Sequence, residues 1–175
     1  DEAIDSYKQA IKIKPNYANA YYNMGNALNE KGEPEAAIDS YKQAIKIKPN
    51  YANAYCNMGI ALNEKGDLEA AIVSYKQAIK IKPNYADAYS NLSALCLLLG
   101  DLDKGFKYHE WRLKKIKERP VAPARTNLIW DGKQNLSGKH FVVYEEQGLG
   151  DILQFCRYLL VLEQKGASVT FKVKS

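Results

Sequence analysis

The chain has 175 residues, of which 46% are hydrophobic, 26% charged and 11% aromatic, the balance of a soluble globular protein. Its net charge of +5 is spread along the chain rather than gathered in one tail, which argues against nucleic acid as a partner. No run approaches the roughly 20 apolar residues that span a bilayer, and no signal-peptide pattern opens the chain, so neither a membrane nor a secreted protein is expected.

Cys56, Cys96 and Cys156 are odd in number and lack metal-ligand spacing. The expectation is a reducing cytoplasmic setting, small buried thiols, no disulfide framework and no metal site.

An internal repeat organises the first two thirds. Residues 3–21, AIDSYKQAIKIKPNYANAY, recur letter for letter at 37–55. They recur again from 71 with only Val73 and Asp87 changed, the offset being 34 residues each time. Asp1 to Lys14 therefore match a second helix without its first, and the chain is expected to be a piece cut from a longer array. Within one full period, one helix is predicted over about 18–31 and another over about 35–48, with Gly32 between them and Pro49 after the second. Apolar residues return at three- and four-residue steps, as in Tyr21, Met24 and Leu28, then Ile38, Tyr41 and Ile45. Small residues at Gly25, Ala37 and Ala44, matched by Gly59, Ala71 and Ala78, mark close helix approach. Asn16, Asn50 and Asn84 precede the first helices and are expected to cap them. A last second helix, DKGFKYHEWRLKKIKERP, is predicted to end near Glu118, its basic run from Arg112 to Arg119 reading as a solvated helix end. His109 on it has no second ligand at metal spacing and reads as a packing or surface residue.

The run Tyr21, Met24, Gly25, Leu28, Ala37, Tyr41, Ala44, Pro49 resembles the tetratricopeptide (TPR) family. Tyr55, Met58, Gly59, Leu62, Ala71, Tyr75, Ala78 and Pro83 repeat the pattern. A third copy begins with Tyr89 and Leu92, then departs at Ser93 and Gly105. The resemblance implies a mainly α fold: a right-handed TPR α-solenoid over residues 1–119, with a lone helix over 1–16 and repeats over about 17–50, 51–84 and 85–119. It also implies that the first helix of each pair lines a concave groove.

In that groove Asn23, Asn57 and Asn91 fall at one repeat position. Asn19, Asn53 and Asp87 form a parallel row, Asn29 and Asn63 another, and Asn26 and Tyr22 join them. A carboxamide offers donor and acceptor together, which matches an extended peptide backbone, and Asn is a mediocre helix former whose recurrence propensity does not explain. The row resembles the asparagine ladder in the TPR superhelix of O-linked N-acetylglucosamine transferases. The competing reading is that these amides bond neighbouring helices or keep the groove wet, while Tyr41 and Tyr75 pack helices together.

Beyond a Pro-marked linker at about 120–130 the helical period stops. His140 to Tyr144 reads as a buried strand, Ile152 to Lys165 as a helix ended by Gly166, and Ser168 to Val173 as a second strand. Together they predict a βαβ unit with parallel strands, the opening of a Rossmann-like domain over 131–175 that is expected to continue past the last residue. Between strand and helix, EEQGLGD places Gly148 and Gly150 where backbone can approach an anion, with Asp151 as a natural N-cap. The stretch GFKYHEWR and then WDGKQNLSGKHFVVYEEQGLGDILQFCRY resembles the junction of bacterial TPR proteins that continue into GT-B, heptosyltransferase-like glycosyltransferase domains. That resemblance implies a substrate or phosphate loop at Gln147, Gly148 and Gly150, and Asp151 as the acceptor base in a longer parent.

The expected function is a module that binds protein or peptide in the TPR groove, with no catalysis and no cofactor in these residues. The parent is alternatively a protein glycosyltransferase using a sugar nucleotide, its repeats delivering the acceptor. A further alternative is a scaffold that self-associates through its ends.

Overall fold

A computed structural model describes residues 2–111, 135–144 and 159–172. The chain divides into two units, one ending at Lys117 and the other beginning at Glu118.

Seven helices build the first unit: α1 (Glu2–Ile13), α2 (Ala18–Glu30), α3 (Pro34–Ile47), α4 (Ala52–Lys65), α5 (Leu68–Ile81), α6 (Ala86–Leu98) and α7 (Leu102–His109). Each packs on the next in sequence, and α2–α3, α4–α5 and α6–α7 are the most extensive pairs. The turns inside these pairs are built alike. Gly32, Gly66 and Gly100 take φ of 83°, 90° and 79°, left-handed values that glycine adopts without a Cβ penalty. The next residue's N–H then reaches back to a carbonyl five positions earlier, as Glu33 N to Leu28 O and Asp67 N to Leu62 O, both at 2.9 Å. These bonds satisfy carbonyls that the ending helix would otherwise leave bare.

Helix starts differ from the expectation. Asn16, Asn50 and Asn84 do not cap, because the N-cap position falls one residue later, on Tyr17, Tyr51 and Tyr85, none of which makes a side-chain cap bond. Local contacts lie at these positions instead: the Lys14, Lys48 and Lys82 ammonium groups, three residues earlier, lie 5.3, 4.5 and 4.5 Å from the ring centroids of the three tyrosines. Side-chain caps occur where the sequence reading placed none, with Asp67 accepting from Ala70 N–H and Asp101 from Lys104 N–H, each at 3.2 Å.

Inside each pair the small residues do what their size predicts. A Cβ built on Gly25 would lie 2.6 Å from Tyr41 Cε1, and one on Gly59 would lie 2.6 Å from Tyr75 Cε1. Both tyrosine rings are almost wholly buried. The third pair solves the same contact differently. His109 stands at the repeat position of Tyr41 and Tyr75, and Ser93 at that of the two glycines. The Ser93 hydroxyl donates to Gly105 O at 2.8 Å, and Gly105 replaces the alanine of the earlier repeats so that the helices still meet. Tyr89 is capped by Trp111, stacked 3.8 Å away at 8°.

The second unit, in its described residues, holds β1 (His140–Tyr144), α8 (Leu159–Gln164) and β2 (Ser168–Lys172). The strands are parallel, in register from His140 opposite Ser168 to Tyr144 opposite Lys172. Gly166, at φ 85°, ends α8. The strand–helix–strand order is thus present, but a Rossmann-like sheet is not established: two strands of five residues make a pair, which needs further strands or a packed helix to be stable.

Candidate functional site

Helix order decides which side chains share a face. The first helices touch one another, α2 with α4 and α4 with α6. The first helices therefore form one continuous wall, and the 34-residue period sets Asn23, Asn57 and Asn91 at equivalent points along it. Asn19, Asn53, Asn63 and Asp87 are exposed, and Tyr22, Asn23, Asn26, Asn29, Asn57 and Asn91 are half-buried.

Hydrogen bonding splits the ladder. The Asn57 amide donates to Tyr22 Oη at 3.1 Å and to Asn26 Oδ1 at 2.8 Å, both on the preceding first helix. Tyr41 O–H donates to the same Asn26 oxygen at 2.9 Å. One repeat on, the Asn91 amide points at Cys56 Sγ, 4.0 Å away, Cys56 standing where Tyr22 stood. Tyr51 O–H donates to Asn19 Oδ1 at 3.1 Å. Asn57 and Asn91 thus join successive repeats through their N–H groups, as the competing sequence reading allowed. Among the described residues Asn23, Asn53 and Asn63 make no side-chain hydrogen bond, which leaves their amides available. Tyr22 is engaged as well, its ring centroid 5.0 Å from that of Tyr51 and 6.1 Å from that of Tyr41.

Asn26 is the hub of this network, although its surroundings repeat and it does not: Ile60 and Ala94 occupy its place in the later repeats. That break in an otherwise faithful period is the sequence signal for it. Beside it lies a cleft of about 200 Å³ lined by Asn26, Asn29, Glu30, Tyr41, Asn57 and Ile60. Asn29 Oδ1 is buried and has no hydrogen-bond partner. A second hollow of about 480 Å³ lies between Pro15, Asn16, Tyr21, Gln43, Lys46 and Ile47. In the third repeat Trp111 takes the place of Gln43 and covers Tyr89.

Burial dominates the electrostatics. It pushes the Cys56 thiol up to about 11, and it raises the Tyr41, Tyr75 and Tyr85 phenols well above their ordinary range. At Tyr41 the neighbouring Tyr22, Glu64 and Glu30 add to that effect, against the hydrogen bond from Asn57. These groups are neutral packing elements rather than nucleophiles.

Gln147, Gly148, Gly150 and Asp151, with the basic run from Arg112 to Arg119, lie outside the described residues. Among the described residues no helix is long and apolar enough to cross a membrane.

The TPR repeat family matches residues 1–32, 25–66 and 61–100 of this chain. Among solved structures, the crystal structure of MamA is 33% identical with a TM-score of 0.61, over 64% of this chain and 66% of that one. A second crystal structure of MamA protein is 31% identical with a TM-score of 0.61, over 70% and 69%. The MamA RS-1 ArsTM double mutant, at 19% identity and a TM-score of 0.59 over 63% and 62%, shares the fold. The chain thus spans about two thirds of the MamA chains it resembles. No curated protein matches it.

Proposed function

This chain belongs to the TPR repeat family, and from that starting point we propose that it is a protein-interaction scaffold that holds an extended polypeptide along the wall of α2, α4 and α6. The observation that carries the reading is the division of the ladder. Asn57 and Asn91 link successive repeats, while Asn23 on α2 and Asn53 and Asn63 on α4 have unspent amides. Amides at a fixed interval pair with main-chain N–H and C=O groups whatever the side chains, so affinity would come from the backbone and tolerate sequence.

The experiment is a titration of the chain with a fluorescent library of unstructured peptides. Asn23→Ala combined with Asn53→Ala is expected to weaken binding about tenfold, equivalent to about 1.4 kcal/mol, with the fold intact by circular dichroism. Undiminished binding would refute the role given to these amides.

A second reading concerns the unit after Glu118. The parallel pairing of β1 and β2, with the sequence resemblance of residues 130–157, supports a glycosyltransferase-like domain in a longer parent, with Asp151 as acceptor base and a sugar nucleotide as donor. Transfer activity in that parent, abolished by Asp151→Asn, is its test; activity indifferent to the change removes Asp151 from the chemistry. Self-association is the remaining alternative. Leu98, Leu102 and Phe106 are 71%, 55% and 61% exposed, and sedimentation that stays monomeric at high concentration would dismiss it.

A further inference from the structure

We infer that the hollow between the α1–α2 turn and α3 is a docking subsite for a tryptophan side chain of a partner polypeptide, stacked on the ring of Tyr21. The hollow shares no residue with the amide ladder, so the inference stands apart from the binding wall proposed above.

The chain supplies its own template for the occupant. Two periods on, Tyr89 stands at the repeat position of Tyr21 and Trp111 at that of Gln43. There the indole lies flat on the tyrosine ring, 3.8 Å away at 8°. In the first copy a glutamine replaces the indole, and a hollow of about 480 Å³ lies beside Tyr21 and Gln43 instead. That volume falls within the roughly 300–1,000 Å³ of pockets that take a small-molecule-sized group. Among the described residues the Tyr21 ring has no aromatic partner and its hydroxyl no hydrogen bond. The second copy is more closed, since Tyr55 packs against the core and Gln77 is half-buried where Gln43 is exposed.

A tyrosine face can also take a cation, as Tyr51 takes Lys48 at 4.5 Å. Charge decides between the two. Lys46 is the one charged residue lining the hollow, and its ammonium opposes a second cation while leaving a neutral ring unopposed. The polar lining suits an indole as well. An indole N–H needs an acceptor when buried, and the Asn16 and Gln43 side-chain oxygens, which make no hydrogen bond among the described residues, can each supply one. Pro15, Asn16, Gln43 and Lys46 are all exposed, so the ring can enter while the main chain that carries it stays outside.

The test follows the side-chain amide signals of Asn16 and Gln43 in the ¹⁵N-labelled full chain during titration with N-acetyl-tryptophan amide, N-acetyl-leucine amide or N-acetyl-arginine amide. The indole compound is expected to move both signals saturably and the other two to leave them in place. Gln43→Trp rebuilds the arrangement of the third pair, so it should fill the hollow and weaken the Asn16 response at least tenfold, with the fold intact by circular dichroism. Tyr21→Leu, which keeps an apolar side chain but offers no ring, should weaken it at least fivefold. Signals that stay still with the indole, that move equally with leucine or arginine, or that respond undiminished in Gln43→Trp overturn the subsite. In a parallel arm, Ala/Ser peptides carrying one central Trp or Leu are titrated. A tenfold preference for Trp that Gln43→Trp removes supports polypeptide docking, and equal affinity overturns it. Asn23→Ala with Asn53→Ala should keep the response to the indole compound even if the wall fails, whereas loss of that response in this variant would assign the signal to the wall and overturn the subsite.

Discussion

Gly25 and Gly59 are each a hydrogen atom away from a clash. A methyl group on either would sit 2.6 Å from the edge of a tyrosine ring that is itself almost wholly buried. Gly25→Ala or Gly59→Ala should therefore cost about 1–3 kcal/mol, read as a lower urea midpoint at unchanged slope. An unaltered midpoint would mean the rings can swing aside. The buried thiol and phenols make a second prediction. Their folded pKa values are raised, so the native state keeps protons that the unfolded chain would release. That contribution is whole below the ordinary values of 9.0 for Cys56 and 10.0 for Tyr41, Tyr75 and Tyr85, and it is lost as pH climbs toward the raised ones. Urea midpoints should hold from pH 7 to 8.5 and fall between pH 9 and 11, and Cys56→Ala should flatten the first part of that fall.

Helices and their ends were legible to different degrees. The left-handed glycines could be placed from their spacing alone, because Gly32, Gly66 and Gly100 sit where a helix must stop and no other residue takes that φ cheaply. The caps could not. An asparagine before a helix invites the assignment, yet a shift of one residue puts tyrosine at the N-cap, with a lysine three residues earlier over its ring. Asp67 does cap α5, so Asp67→Ala should lower stability by about 1 kcal/mol, whereas Asn50→Ala should change it by less than about 0.5 kcal/mol; thermal melts of the two compared side by side check this. The links between repeats were half legible. The period located Asn57, but its bonds to Tyr22 and Asn26 depend on how α4 is set against α2, which no single segment encodes. In the second unit, the alternation to β-branched runs was enough to find both strands and their parallel pairing. Two strands are too few to name the sheet they belong to.

Across the whole repeat unit, faithful repetition and local exceptions serve different ends. The repeated letters rebuild one helix interface three times, and the exceptions adapt it: His109, Ser93 and Gly105 re-form the last pair, and Asn26 makes the first interface polar. Asn57→Ala should accordingly cost about 1 kcal/mol in stability by breaking the bond between repeats, while Asn53→Ala should leave stability unchanged and weaken polypeptide capture; urea melts and peptide titrations of both variants separate the two roles. The most direct measurement of where polypeptide lies is photo-crosslinking from a benzophenone side chain placed at Asn53 on α4 or, separately, at Val73 on α5, which is 67% exposed. Bound peptide should be captured from position 53 and not from position 73. Capture from 73 with none from 53 would contradict the assignment of the first helices as the binding wall.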